Sequence, residues 1–216
     1  MRRLRFLPGR SGTREHERGQ GLVEFSLVVP IIILVVISVA ELGLAFGNTH
    51  TVGYGSREGA RVGSALATGG VEDCSGGADP SLVDATLVSA VQRILKSPGS
   101  GIDISKVQEI RIFQANSAGE ETGSFVNVWQ YTGERSGPEV DPGPGVENID
   151  FSLIGTNRWP ACSRDNSGAS PDSIGVTVVY RYDFVTPLPS VVNAIAGGAL
   201  SLNLSETTVM SLNPSI

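Results

Sequence analysis

Two carboxylates stand inside an otherwise uncharged, strongly apolar stretch, and their type and setting define the chemistry this sequence has on offer. From Leu22 to Phe46 only Glu24, near the start, and Glu41, near the end, carry formal charge. Between them run Leu27, Val28, Val29, Ile31, Ile32, Ile33, Leu34, Val35, Val36 and Ile37. A carboxylate near the centre of a bilayer costs roughly 3 kcal/mol, so Glu24 calls for a cationic partner, whereas Glu41 sits where it reaches interfacial water. The chemistry is ion pairing, with no bond made or broken. Other reactive residues are few. His16 and His50 are the only histidines; one lies in a basic leader and the other just past the apolar stretch, so neither a histidine triad nor a zinc site is expected. The sequence holds no glycine-rich phosphate loop with its lysine and no nucleophile elbow. Asp141, Glu147 and Asp150 lack the spacing of a calcium loop, and Asn203-Leu204-Ser205 fits a glycosylation acceptor placed in a strand pattern. The expectation is a protein that is not an enzyme and uses no metal or cofactor.

The element that must position Glu24 is the apolar stretch itself. About 20 apolar residues cross a bilayer as a helix, and lipid selects helix even for a β-branched run because every backbone amide must be paired internally. Pro30 removes one of those bonds and bends the axis. The flanks are asymmetric: Met1 to Gly19 carry six arginines against Glu15 and Glu17, 6 − 2 = +4, and the rest carries ten basic against twenty acidic residues, −10. By the positive-inside tendency the N-terminus stays cytoplasmic and the remainder is exported. A nucleic-acid-binding arm is the rival reading of the arginines, and the acidic body gives it no surface. Ser38-Val39-Ala40 also has the small residues of a signal-peptidase site, which would release a soluble domain at Ala40. The length of the run, and its continuation through Leu42, Leu44, Ala45 and Phe46, favour retention.

Gly19 followed by Gln20-Gly21-Leu22-Val23 and then Glu24-Phe25 resembles the processing site of type IV prepilins of the Flp (Tad) class. Further on, Arg57-Glu58-Gly59-Ala60-Arg61 resembles the block that follows the hydrophobic helix in TadE-like proteins. The resemblance extends from Gly19 to about Ala67, and more loosely to the C-terminal end. It implies a membrane-anchored minor pilin or pseudopilin with a part in Flp/Tad pilus assembly, cut after Gly19 by a prepilin peptidase. The new amine of Gln20 would then lie near the Glu24 carboxylate of a neighbouring subunit, with Phe25 as the aromatic after it. Glu24, Arg57, Glu58, Gly59 and Arg61 would take part in subunit contacts. The implied partners are the membrane, the peptidase, other pilin or pseudopilin subunits and the Tad secretion machinery, with no nucleic acid. The implied location is the cytoplasmic membrane, single-pass, or the pilus itself.

Beyond the membrane, Gly47 to Thr68 continues the helix despite Gly53, Gly55, Gly59 and Gly63, whose small side lets a neighbouring helix come close. The chain thus divides into a leader, 1–19, a helix, 20–68, and an exported domain, 69–216. Glycines from Gly69 to Gly77 end the helix. Asp79-Pro80-Ser81 opens a second one, Leu82 to Leu95, with Val83, Leu87, Val91 and Ile94 on one face. Strands are expected over Val107–Ala115, Phe125–Tyr131 and Ile174–Phe184, the last with strict alternation. Thr186 to Pro189 stops that strand, a short helix fits Ser190–Ala196, and Leu200, Leu202 and Leu204 begin a final strand toward Met210 and Leu212. The exported part, about 150 residues, suffices for one core. The fold class is α+β and pilin-like, a long N-terminal transmembrane helix packed on a small antiparallel sheet. Cys74 and Cys162 fall in loops on the exported side, where an oxidising compartment favours a disulfide; closing a loop of about 90 residues stabilises by roughly 4 kcal/mol. An anchored adhesin is a second functional reading, its loops Thr132–Gly145 and Thr156–Pro171, with Trp129 and Trp159 nearby, contacting a surface or glycan. A secreted enzyme is the third.

Overall fold

A computed structural model of the protein describes residues 14–66, 81–141, 145–166, 170–187, 189–190, 193–194 and 201–212, with side chains of the first helix described from Gln20. Helix α1, Arg14–Leu66, has 53 residues, a rod of about 80 Å. It begins inside the basic leader, earlier than the apolar pattern alone suggests, and passes through Pro30. Several polar side chains along it are satisfied locally. The hydroxyls of Ser26, Ser38 and Thr49 donate to the carbonyls of Val23, Leu34 and Ala45 at 2.8, 2.8 and 3.0 Å, which lets them sit in an apolar helix without an outside partner.

The rod has two halves. Its most apolar window has no buried residue, and Leu22, Phe25, Leu27, Ile31, Val35 and Val39 are all well exposed. From Glu41 onward one side goes under cover: Glu41, Ala45, Val52, Ser56, Gly59 and Gly63 are buried, a spacing of threes, fours and a seven that marks one helix face.

What covers that face is an α+β head. Helix α2, Ser81–Leu95, is followed by β1, Val107–Ala115, and β2, Glu121–Tyr131. Next come the short pairs β3, Glu139–Val140, and β4, Glu147–Asn148, and then β5, Phe151–Leu153. Strands β6, Ser173–Tyr182, and β7, Leu202–Ser211, complete the head. Five strands form one antiparallel sheet in the order β5-β2-β1-β6-β7, and β3 pairs with β4 apart from it. The strand boundaries agree with the sequence reading for β1, while β2 starts earlier and β6 stops at Tyr182. The short helix expected over Ser190–Ala196 falls largely outside the described residues, as does Cys74.

The register sets the sheet's faces. Ile110 and Ile112 pair with Val178 and Val176 across β1 and β6, and with Trp129 and Asn127 across β1 and β2. On β7, Leu204, Glu206, Thr208 and Met210 pair with Tyr180, Val178, Val176 and Ile174. This is the face that α1 lies on, since the Ser56 and Thr208 hydroxyls are 2.9 Å apart. Strand β6 runs antiparallel to α1: Tyr182 meets Glu41, while Val176 and Ile174 meet Gly59 and Gly63. The head therefore has a base, at the level of Glu41, and a far end, at Gly63 and the β1–β2 turn. Burial of Leu87, Val91, Leu95, Ile110, Ile112, Val176 and Val178, at about 1.5–3 kcal/mol for each such side chain, supplies the main cohesion between helices and sheet.

Candidate functional site

At the start of the described side chains, Glu24 is exposed among exposed aliphatic neighbours. Its partner is the Gln20 side-chain amide one helical turn back, which donates across 3.4 Å, a long and therefore weak bond. No cation among the described residues forms an ion pair with it. Helical side chains lean toward the N-terminus, so the carboxylate overlies Gln20, the residue that cleavage after Gly19 would make the first. Gly19 lies within helical backbone.

The block Arg57-Glu58-Gly59-Ala60-Arg61 divides between two surfaces. Arg61 clamps Glu58 with two bonds, Nη2 to Oε1 at 2.6 Å and Nε to Oε2 at 2.8 Å, and Arg57 extends over the Tyr54 ring, 6.0 Å from its centroid. Tyr54 and Arg57 form an exposed ridge between two shallow grooves. One, about 490 Å³, is also lined by Glu58, Arg61, Ile94 and Met210; the other, about 430 Å³, by Phe46, His50, Gly53 and Glu206. Gly59 faces inward instead. A Cβ there would come within 2.7 Å of Val91 Cγ2, so this member of the expected contact set is taken up by packing inside the chain. Three of the four glycines do this: Gly55 opposes Leu95 and Val91, Gly59 opposes Val91 and Leu87, and Gly63 opposes Leu87 and Ile174, while Gly53 faces Glu206 on β7. The neighbouring helix that the small residues admit is the chain's own α2.

Glu41 is where sequence and structure differ most. It is 1% exposed, held far from the water that its place in the sequence suggested. Its carboxylate accepts from the Tyr182 hydroxyl at 2.5 Å, from the Val185 N–H at 3.0 Å and from the Thr186 N–H at 2.9 Å. With the Thr186 side chain also bonded to it, four donors from Tyr182 at the end of β6 and from Val185 and Thr186 just after it fasten the head to the helix where the exposed apolar run stops. Burial, and then the Glu41 carboxylate itself, push the Tyr182 phenol above its ordinary value, so it remains a donor at any physiological pH. The signal available in the sequence was a tyrosine followed by a Thr-Pro turn, which does not name its partner.

A second polar cluster ties the Cys162 loop down. Asp84, in the first turn of α2, accepts from Arg164 Nη2 at 2.5 Å and from Asn127 Nδ2 at 2.8 Å. The Asn127 carbonyl accepts from the Arg158 and Trp159 N–H groups at 2.8 and 3.1 Å, and the Arg164 guanidinium stacks over the Trp159 ring at 4.5 Å. Asp84 and Arg164 side chains are 1% and 0% exposed, so each is the neutralising partner the other needs. Cys162, between these residues, is engaged in a disulfide. Trp129 and Trp159 are each 1% exposed, so both indoles belong to the core and neither is presented on the loops near it. Among the carboxylates weighed for calcium, Asp150 is buried and ion-paired to Lys96 at 2.5 Å, with its other oxygen bound by the Arg135 N–H at 2.9 Å.

The described molecule is thus an α+β head carried on a helix whose other half is aliphatic on all sides, and one such N-terminal helix fits a single-pass membrane protein. Within that class, residues 19–61 match the family model described as TadE-like protein. The match takes in both the Gly19 to Phe25 block and the Arg57 to Arg61 block, and the family implies a part in Flp/Tad pilus assembly. No curated protein and no solved structure matches the chain.

Proposed function

We propose that this protein is a membrane-anchored TadE-like minor pilin or pseudopilin of an Flp/Tad system, matured by a prepilin peptidase after Gly19, with its head outside the cytoplasm. The observation that carries the reading is the two-part α1: the matched residues comprise an unburied aliphatic rod and the start of the head-packed half. Leu22 to Ala40 would span about 28 Å as helix, close to the roughly 30 Å hydrocarbon thickness of a bilayer. Within such a rod Glu24, with only a long bond to Gln20, lacks the cation that its burial in lipid or in a filament would require. Cleavage supplies one, the Gln20 amine, and a neighbouring subunit's amine placed there fixes the axial register between helices. Maturation and assembly are coupled in this way. The Tyr54 and Arg57 ridge, with Glu58 and Arg61 beside it, is the subunit-facing surface of the head, and Gly59 is not part of it. The role asks for no catalysis. A Cys74–Cys162 disulfide, consistent with the oxidised state of Cys162, ties the segment after α1 to the loop clamped by Asp84 and Arg164.

The test is genetic and biochemical. In pilus-forming cells lacking the chain, the wild-type protein should restore Flp pili, and Glu24→Ala should insert in the membrane without restoring them or co-purifying with pilus components. Normal piliation without the chain, or with Glu24→Ala, would contradict the proposal.

A further inference from the structure

The base of the head carries an apolar surface that the anchoring helix alone does not explain. Strand β6 returns to the level of Glu41, and the Glu41 carboxylate holds the backbone N–H groups of Val185 and Thr186 at 3.0 and 2.9 Å. Val185 is thereby fixed one hydrogen bond away from the helix where the unburied apolar run ends, with its own side chain 76% exposed. Across the ladder, Leu202 pairs with Tyr182 and is 40% exposed. Leu42 and Phe46, both 68% exposed, continue the same apolar level on the helix. Single exposed aliphatic residues are ordinary, but a group of them at one level marks an interaction surface.

Charge is distributed to match. No charged residue occurs in the sequence between Asp183 and Glu206, the connection that Val185 and Leu202 bound. On the head side of that level stand Lys106 and Arg181, paired to Asp183 at 3.0 and 3.4 Å. An apolar patch below and a band of ion-paired charges just above, Lys106 and Arg181 with Asp183 and Asp103, is an amphipathic arrangement that seats at the boundary between acyl chains and headgroups.

We propose that the base of the head, marked by Val185 and Leu202, rests in the headgroup–acyl boundary of the bilayer that α1 crosses. The head meets the membrane at a second point, and Glu41 sets its depth by fixing Val185 to the helix at the end of the span. This inference rests on the membrane reading given above, and the experiment separates the two. The full chain, kept oxidised, is labelled with the environment-sensitive fluorophore NBD at Val185→Cys or Leu202→Cys and reconstituted in phosphatidylcholine vesicles with or without brominated lipid. Val36→Cys reports the span, and Ser117→Cys, in the exposed β1–β2 turn at the far end of the head, reports water. The expected result is loss of most emission to brominated lipid at 36, 185 and 202, with no loss at 117. Quenching at 36 alone, with 185 and 202 open to aqueous iodide, would overturn this inference and leave the membrane reading standing. Shielding of 185 and 202 from iodide without lipid quenching would overturn it in favour of a second copy of the chain. Absence of quenching at 36 would overturn both.

Discussion

Gly63→Ala sets two effects of opposite sign against each other at one residue. In a helix interior alanine is favoured over glycine by about 0.8–1.0 kcal/mol, so a helix without close neighbours gains stability from the change. At Gly63, however, the added Cβ would lie 2.6 Å from Leu87 Cδ1 and 2.7 Å from Ile174 Cδ1, where carbon atoms normally rest about 3.5–4.0 Å apart. Leu87 and Ile174 are fully buried, so neither can swing aside into water. Overpacking of this kind costs about 1–3 kcal/mol, and the expected balance is a net loss of up to about 2 kcal/mol. Gly55 is the internal control. There the nearest atom, Leu95 Cδ2, would be 3.3 Å away, and Gly55→Ala should be neutral or stabilising by up to about 1 kcal/mol. Urea denaturation of the full chain in detergent micelles, followed by the fluorescence of the buried Trp129 and Trp159, measures both differences. A Gly63→Ala chain as stable as Gly55→Ala would refute the glycine-to-aliphatic packing of α1 on α2.

Three further changes test other joints of the structure. Glu41→Ala leaves the Tyr182 hydroxyl and two backbone N–H groups without their acceptor; the expected loss is about 2–4 kcal/mol, with faster hydrogen exchange at the 185 and 186 amides and unchanged membrane insertion. Asp84→Ala strands the buried Arg164 guanidinium and should cost about 3–5 kcal/mol, much of it recovered when Arg164→Met is added, as a double-mutant cycle would show. The phenol of Tyr182 is pushed up by burial and by Glu41, so its contribution is fully present below the ordinary tyrosine value of 10.0. It fades as pH rises beyond that value, because the unfolded state loses its proton first. Stability measured above pH 10 should therefore fall less steeply in Tyr182→Phe than in the wild type, and equal slopes would count against a buried, Glu41-bound phenol.

Local pattern carried much of the fold. Alternation from Ile174 to Tyr182 reads as one buried face because each of those residues packs toward the helices, and the aliphatic spacing of Val83, Leu87 and Val91 reads as the covered side of α2. The start of β2 was hidden because Glu121 to Ser124 lie at an exposed hairpin end, where strand pairing asks nothing apolar of them. The junctions were hidden for a different reason. Glu41 and Tyr182 are far apart in sequence, as are Asp84 and Arg164, and an acid that binds a buried donor looks the same in sequence as one that faces water. The glycines of α1 were legible as a close-approach stripe, and only the three-dimensional arrangement shows that α2 occupies it. Trp159 reads from the sequence as a loop residue, and the Asn127 and Arg164 bonds draw that part of the loop under cover.

The central claim is that α1 becomes a pilin-type helix by cleavage after Gly19. Mass spectrometry of the N-terminal residue, on membrane-associated protein from cells with and without their prepilin peptidase, tests it most directly. The account predicts a chain that begins at Gln20 only when the peptidase is present. A chain that begins at Glu41, or one that keeps its leader in the presence of the peptidase, would contradict it.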